Sequence, residues 1–152
     1  MAERIAIVSD HAAYAMKAEL AEGLRGEGYD VLDLGTTSTD SVDYPDYGYR
    51  MAQAIASGEV ERGIALCGSG VGISISINRH PACRCALVSD GLTAQLARLH
   101  NDANVLALGA RLIGIETARD CADRFLATPF EGGRHQRRVE KLSNPDFSKE
   151  PA

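Results

Sequence analysis

The chain has 152 residues, 45% of them hydrophobic, enough to bury one core but hardly two, so a single domain over residues 1–152 is expected. A formal net charge of -5 argues against a nucleic-acid binder, whose surface must neutralise phosphates, and confines any anion site to a local cluster. The first apolar run is too short for a signal peptide and no later segment approaches a membrane span, so a soluble, cytoplasmic protein without membrane partners is expected.

Ile5–Val8 reads as a short apolar strand, followed by an alanine-rich stretch from Ala12 to Gly26 with Met16, Leu20 and Leu24 at helical spacing. Val31–Leu34 repeats the pattern, with a polar loop and a helix from about Tyr47 to Ser57. Gly63–Cys67 follows, with a helix opening after Gly70. Cys85–Val88 precedes a helix from Leu92 to His100, and Val105–Leu108 precedes one from Glu116 to Leu126. Strands separated by helices imply parallel pairing, because each crossover needs a helix to return the chain. The predicted fold is α/β, a Rossmann-like three-layer sandwich with a five-stranded parallel sheet. Residues from about 132 onward form a basic helix and then a frayed tail.

In such sheets ligands bind beyond the carboxyl ends of the strands. Ser9-Asp10-His11, the run from Cys67 to Gly72, and Ser89-Asp90-Gly91 fall at those ends. Cys67 closes an apolar strand before a glycine-rich turn that opens a helix. Its sulfur is expected near unpaired backbone N–H groups and the positive end of a helix dipole, surroundings that favour a thiolate. The amides from Gly68 to Gly72 suit an oxyanion, and a thiolate beside an anion hole suits proton abstraction next to a carbonyl. The plainer alternative is that Cys67 is a small buried hydrophobe.

The four cysteines, 67, 83, 85 and 121, read as free thiols, since a chain with this much core does not need disulfides. Cys83 and Cys85 share a strand face near His80, but no second pair at ligand spacing completes a tetrahedral zinc set, and no metal is expected. A phosphatase-type loop needs arginine six residues after the cysteine, where Ile73 stands. Ile73 also occupies the third glycine position of a dinucleotide fingerprint, and no Walker lysine is present.

The only dense basic cluster is Gly132-Gly-Arg-His-Gln-Arg-Arg-Val139. If helical it places Arg134 and Arg138 on one face, where paired guanidinium forks suit a phosphate dianion, while Arg137 points elsewhere. A solvated basic helix end is the structural alternative. His11 and His100 each have the chemistry of a general acid or base, or of a helix cap. Asp43-Tyr44-Pro45-Asp46-Tyr47 sits in a loop that would rim a site.

Taken together these residues resemble the type B ribose-5-phosphate isomerases and the related allose- and galactose-6-phosphate isomerases, over Ile5 to about Leu142. The marks are Ser9-Asp-His11, Gly35-Thr36, Asp43-Tyr-Pro45, the run from Cys67 to Ser74, Ser89 to Gln95, His100 to Gly109, Gly132-Gly-Arg-His135, and Arg138-Val139. The resemblance implies a cofactor-free aldose-ketose isomerase with Cys67 as the base that moves the proton between C1 and C2. His100 would open the sugar ring, and Ser69 with Gly68, Gly70, Val71 and Gly72 would hold the enediolate. Asp10, Asn101 and Tyr44 would contact sugar oxygens; His11, Arg111, Arg134 and Arg138 would bind phosphate. A homodimer or dimer of dimers with a shared site is implied, acting on a small sugar phosphate. One branch of the family uses a glutamate after the loop as base; here that stretch reads Ile73-Ser-Ile-Ser76, which fits the cysteine branch. Ser69 stands where many relatives have threonine, and Thr37 where some have tryptophan. The competing readings are a nicotinamide-dependent dehydrogenase and a non-catalytic sugar-phosphate-binding module.

Overall fold

The computed structural model describes residues 2–152. Five strands form one parallel sheet: β1 (Arg4–Ser9), β2 (Asp30–Asp33), β3 (Arg62–Cys67), β4 (Cys85–Leu87) and β5 (Val105–Gly109), in the order β2-β1-β3-β5-β4. The central strands are apolar on both sides because both faces are covered. Ile5, Ile7, Ile64, Leu66, Leu106 and Leu108 pack on one face against Leu20, Leu24, Ala94, Ala97, Cys121 and Phe125. These come from α1 (Tyr14–Gly26), α4 (Gly91–Asn101) and α5 (Ile115–Ala127). On the other face Ala6, Val8, Ala65, Cys67 and Ala107 meet Met51, Ile73 and Ile77 of α2 (Tyr44–Ala56) and α3 (Val71–Asn78). That is the expected three-layer sandwich.

The neighbours of β1 lie on opposite sides, β2 to one and β3 to the other, so the connections leaving β1 and β2 diverge and open a crevice at the carboxyl ends of β1 and β3. Asp10 and Cys67 sit there. Helix α2 starts three residues before the expected Tyr47, because Pro45 fits its first turn.

The basic cluster departs from expectation. Gly132 and Gly133 have φ of 71° and 56°, incompatible with helix, so the chain makes a 3-10 turn over Gly133–His135 before α6 (Gln136–Ser143). Arg134 therefore lies ahead of the α-helix that carries Arg138, not within it.

Lys17 sits where helical spacing with Leu20 and Leu24 would place an apolar residue, and it is 1% exposed. Its ammonium donates to Asp33 Oδ1 and Oδ2 at 2.6 and 2.9 Å and to the Thr36 carbonyl at 2.7 Å. Thr36 N–H in turn donates to the Ser9 carbonyl at 2.9 Å, and Ser9 N–H to Gly35 at 2.8 Å. A buried cation thus ties the loop after β2 to the end of β1, immediately before Asp10. Removing Asp33 would strand that charge, at a cost of about 3–5 kcal/mol for a fully buried pair and less here, since Asp33 is partly solvated.

Candidate active site

Cys67 is the last residue of β3, 4% exposed, opposite Gly109 of β5. Its Sγ accepts the N–H of Gly70 at 3.2 Å. That bond exists because Gly70 takes a φ of 78° and caps α3, turning its amide back toward the strand end. No other residue fits at Gly70: a Cβ there would lie 2.6 Å from Leu87 Cδ1 and 2.9 Å from the Leu108 carbonyl carbon. The side chain of Ser69 is exposed and its Oγ accepts the N–H of Val71 at 3.2 Å. The Arg111 backbone donates to Gly68 at 2.9 Å, and its guanidinium lies over Gly68, 3.3 Å from where a Cβ would stand. The ring of Tyr44 lies against Gly72, in space that any side chain there would fill.

Asp10 N–H donates to the Leu66 carbonyl at 3.2 Å, fixing the residue beside Cys67. The buried Asp10 carboxylate accepts from Ala12 and Ala13 N–H at 3.0 and 3.3 Å, capping a 3-10 turn over His11–Ala13 that packs on β3. His11 Nδ1 accepts the Val42 N–H at 3.1 Å, which leaves Nε2 to carry the proton in the neutral ring. Asp10, His11, Tyr44, Cys67 to Gly72 and Arg111 are thus gathered at one end of the sheet: a cysteine sulfur, backbone donors, a carboxylate and a guanidinium.

The remaining predicted residues stand elsewhere. Helix α4 runs back against the strand direction, so His100 and exposed Asn101, its last two residues, lie at the amino end of the sheet where β5 begins. From Val105 to Gly109 the strand climbs about 13 Å at roughly 3.3 Å per residue, and Gly109 is the residue paired with Cys67. One chain therefore holds two separated groups.

In the second group the rings of His100 and His135 stack, with centroids 4.4 Å apart and planes 15° apart. Glu131 Oε2 lies 4.0 Å from His100 Nε2, and Glu131 N–H donates to the Leu99 carbonyl at 3.1 Å, pinning that segment to the end of α4. Arg134 Nε approaches His135 Nε2 at 3.5 Å. Burial, and then the neighbouring His100 and Arg134, hold the His135 pKa below its ordinary 6.5. Arg134, Arg137 and Arg138 are exposed. His135 lay in the sequence motif but carried no assigned role; its partner, Glu131, left no signal, because the stacking depends on how the segment after α5 folds onto α4.

Among the described residues, His100, Glu131 and His135 form one cluster whose ligand atoms lie within 4.8 Å of one another. Imidazole lone pairs lie in the ring planes, so two nearly parallel rings do not aim at a common ion, and Arg134 already addresses His135 Nε2. With Arg134 and Arg138 alongside, the group suits an anion better than a cation. Cys83 packs in the core beside the half-buried Cys85; burial pushes the Cys83 thiol up to about 11 and that of Cys85 further. His80 Nδ1 accepts the Ala82 N–H at 3.1 Å as part of a turn. Ile73 is fully buried under the sheet, where a dinucleotide fingerprint would need glycine.

The sequence profile of the Ribose/Galactose Isomerase family matches residues 5–142. Ribose-5-phosphate isomerase B of Escherichia coli is 45% identical over 141 residues, covering 93% of this chain and 95% of the relative. The crystal structure of a ribose 5-phosphate isomerase from Thermotoga maritima superposes with a TM-score of 0.91 at 50% identity, covering 93% of this chain and 97% of that one. The structure of Mycoplasma genitalium ribose-5-phosphate isomerase B with bound ribulose-5-phosphate gives a TM-score of 0.89 at 38% identity, covering 94% and 95%.

Proposed function

Because the chain belongs to the Ribose/Galactose Isomerase family and is a sugar-phosphate isomerase of its type B ribose-5-phosphate branch, we propose that it interconverts ribose 5-phosphate and ribulose 5-phosphate through a cis-enediolate, with Cys67 as the base. The observation that carries this is the Cys67 sulfur accepting the Gly70 amide at a strand end ringed by backbone donors.

The furanose is first opened: the proton leaves O1, the C1–O4 bond breaks, and O4 is protonated, with His100 as the acid-base group. The Cys67 thiolate then takes the C2 proton while the electron pair moves onto O1. The amides of Gly68, Gly70, Val71 and Gly72 hold that oxygen, those of Gly70 and Val71 turning to it from Cys67 Sγ and Ser69 Oγ, with the Ser69 hydroxyl beside it. The O2 proton passes to O1, and the thiol returns its proton to C1, leaving the ketone at C2. No electrons enter or leave. Arg111 and His11 from one group, and Arg134 and Arg138 from the other, supply phosphate contacts, while Asp10, Tyr44 and Asn101 meet sugar hydroxyls.

The two groups come together across a twofold dimer, Cys67 from one protomer and His100 with Asn101 from its partner. Two features support this. The groups lie at opposite ends of β5, and Val71, Ile75 and Leu87 leave apolar surface exposed around the glycine loop, at 45%, 58% and 42%. The cytoplasm is the proposed compartment, because four free cysteines suit reducing conditions. Among the described residues no helix is long and apolar enough to cross a membrane.

The test is Cys67→Ala in deuterated water. Turnover and solvent deuterium at C2 of ribose 5-phosphate should both vanish while sugar-phosphate binding survives, and Cys67→Ser should be nearly as damaged. Near-normal turnover in the alanine variant would sink the base assignment. Binding without any exchange in the wild type would favour a non-catalytic binding module.

A further inference from the structure

The residue after His100-Asn101 is the one non-glycine with a left-handed backbone among the described residues: Asp102, at φ 45° and ψ 44°. That conformation is costly for a residue with a side chain and persists only where the surroundings hold it. Here they do. Asp102 Oδ1 accepts from Arg98 Nη1 at 2.9 Å, Oδ2 accepts from Arg84 Nη2 at 3.3 Å, and its carbonyl accepts from Arg84 Nε at 2.9 Å.

Each arginine then reaches a further element. Arg98, 9% exposed, donates to the carbonyl of Ala103 at 2.7 Å and to that of Thr128 at 3.1 Å, just past α5. Arg84 Nη1 donates to Ser143 Oγ at 3.2 Å, at the end of α6, the helix that carries Arg138. The cavity of about 770 Å³ alongside, lined by Arg62, Arg84, Arg98 and Asp102, is not read as an anion site, because these guanidinium groups already donate to carboxylates and carbonyls.

We infer that Asp102, clamped by Arg84 and Arg98, is a positioning residue that sets the aim of His100 for ring opening. The inference rests on the role proposed above for His100. Helix ends fray unless held, and a left-handed residue fixes the direction in which the last helical turn leaves the chain. A carboxylate locked by two guanidinium groups holds that turn in a single orientation, and misplacement of a catalytic group by about 1 Å costs on the order of 100-fold in rate.

The chemistry offers a readout that loss of general stability would not move. Ribulose 5-phosphate has no ring to open, because its C5 oxygen carries the phosphate. Exchange of its C1 proton needs Cys67 but not ring opening. Asp102→Asn keeps the size and the tolerance for a left-handed backbone but loses the charge. It should lower turnover of ribose 5-phosphate by about 10- to 100-fold, while deuterium exchange into ribulose 5-phosphate stays within about twofold of wild type, the difference a remote change leaves. Arg84→Lys keeps the positive charge but cannot hold carbonyl and carboxylate together. Measured at saturating substrate, so that any shift of Arg138 through α6 falls on KM, it should show the same split in kcat at smaller size, and it decides the matter if Asp102→Asn does not fold.

Equal losses in both assays, or no loss in either, would overturn the inference. His100→Ala, measured alongside, separates the two levels. If it splits and the clamp variants do not, the positioning role alone is wrong. If His100→Ala does not split, the ring-opening role fails and the inference goes with it.

Discussion

Consider a mixture of two disabled chains, one carrying Cys67→Ala and the other His100→Ala. Cys67 ends β3 beside Gly109, whereas His100 ends α4 near the start of β5, with about 13 Å of strand between. On the roles proposed above, the thiolate and the imidazole must both lie within hydrogen-bond reach of one sugar, and the proposal therefore draws them from two chains. In a twofold dimer each site takes its sulfur from one protomer and its imidazole from the other. A mixed dimer then has one site with both lesions and one with neither. Refolding equal amounts gives about half mixed dimers by random pairing, and each has one good site in two, so roughly a quarter of wild-type activity should return. The assay is ribulose 5-phosphate formation from ribose 5-phosphate, with mixed dimers verified by differently tagged chains. Absence of recovery with mixed dimers present would place both residues in one chain's site and refute the reasoning.

Three further outcomes follow from the geometry. Arg134→Ala and Arg138→Ala should each weaken substrate binding by about 1.5–3 kcal/mol, the range for a hydrogen bond to a charged group, and Arg137→Ala by much less; equal effects on titration calorimetry would mean a diffuse basic surface. His135 has its pKa held below 6.5, so the unfolded chain binds the proton more readily; stability should be full above pH 6.5 and fall as pH drops through that value toward the folded one. Thermal unfolding of wild type and His135→Gln across that window should converge toward low pH, and parallel curves would contradict the sign. Gly70→Ala forces a side chain into a left-handed conformation and against the Leu108 backbone, and should cost at least about 1–3 kcal/mol in urea unfolding, with loss of turnover; an unchanged midpoint would show that the loop can shift.

Much of this molecule was legible in its sequence. Apolar runs such as Ile5–Val8 and Val105–Leu108 are local signals, because a strand buried on both faces needs a continuous hydrophobic stretch. The run from Cys67 to Gly72 also declared itself, since a cysteine before glycines is a local chemical pattern whose geometry the backbone of four or five residues decides. The resemblance then gave names to His100, Arg134 and Arg138. Sequence did not place the start of the last helix, because two glycines with positive φ break it before Gln136.

Sequence spacing picks Met16 with Leu20 and Leu24 for the inner face of the first helix; that Lys17 is the residue fully buried there, paired with Asp33, left no signal. The pairing of Arg84 and Arg98 on Asp102 left no pattern at all. Sequence spacing reports contacts within one turn of helix or one strand, where covalent geometry fixes the distance. The tertiary structure alone decided that His100 stacks on His135, that Asp102 is locked left-handed, and that His100 lies a full strand length from Cys67. Those distances are set by the strand order β2-β1-β3-β5-β4 and by the direction in which α4 returns, and packing selects both only when the whole core closes.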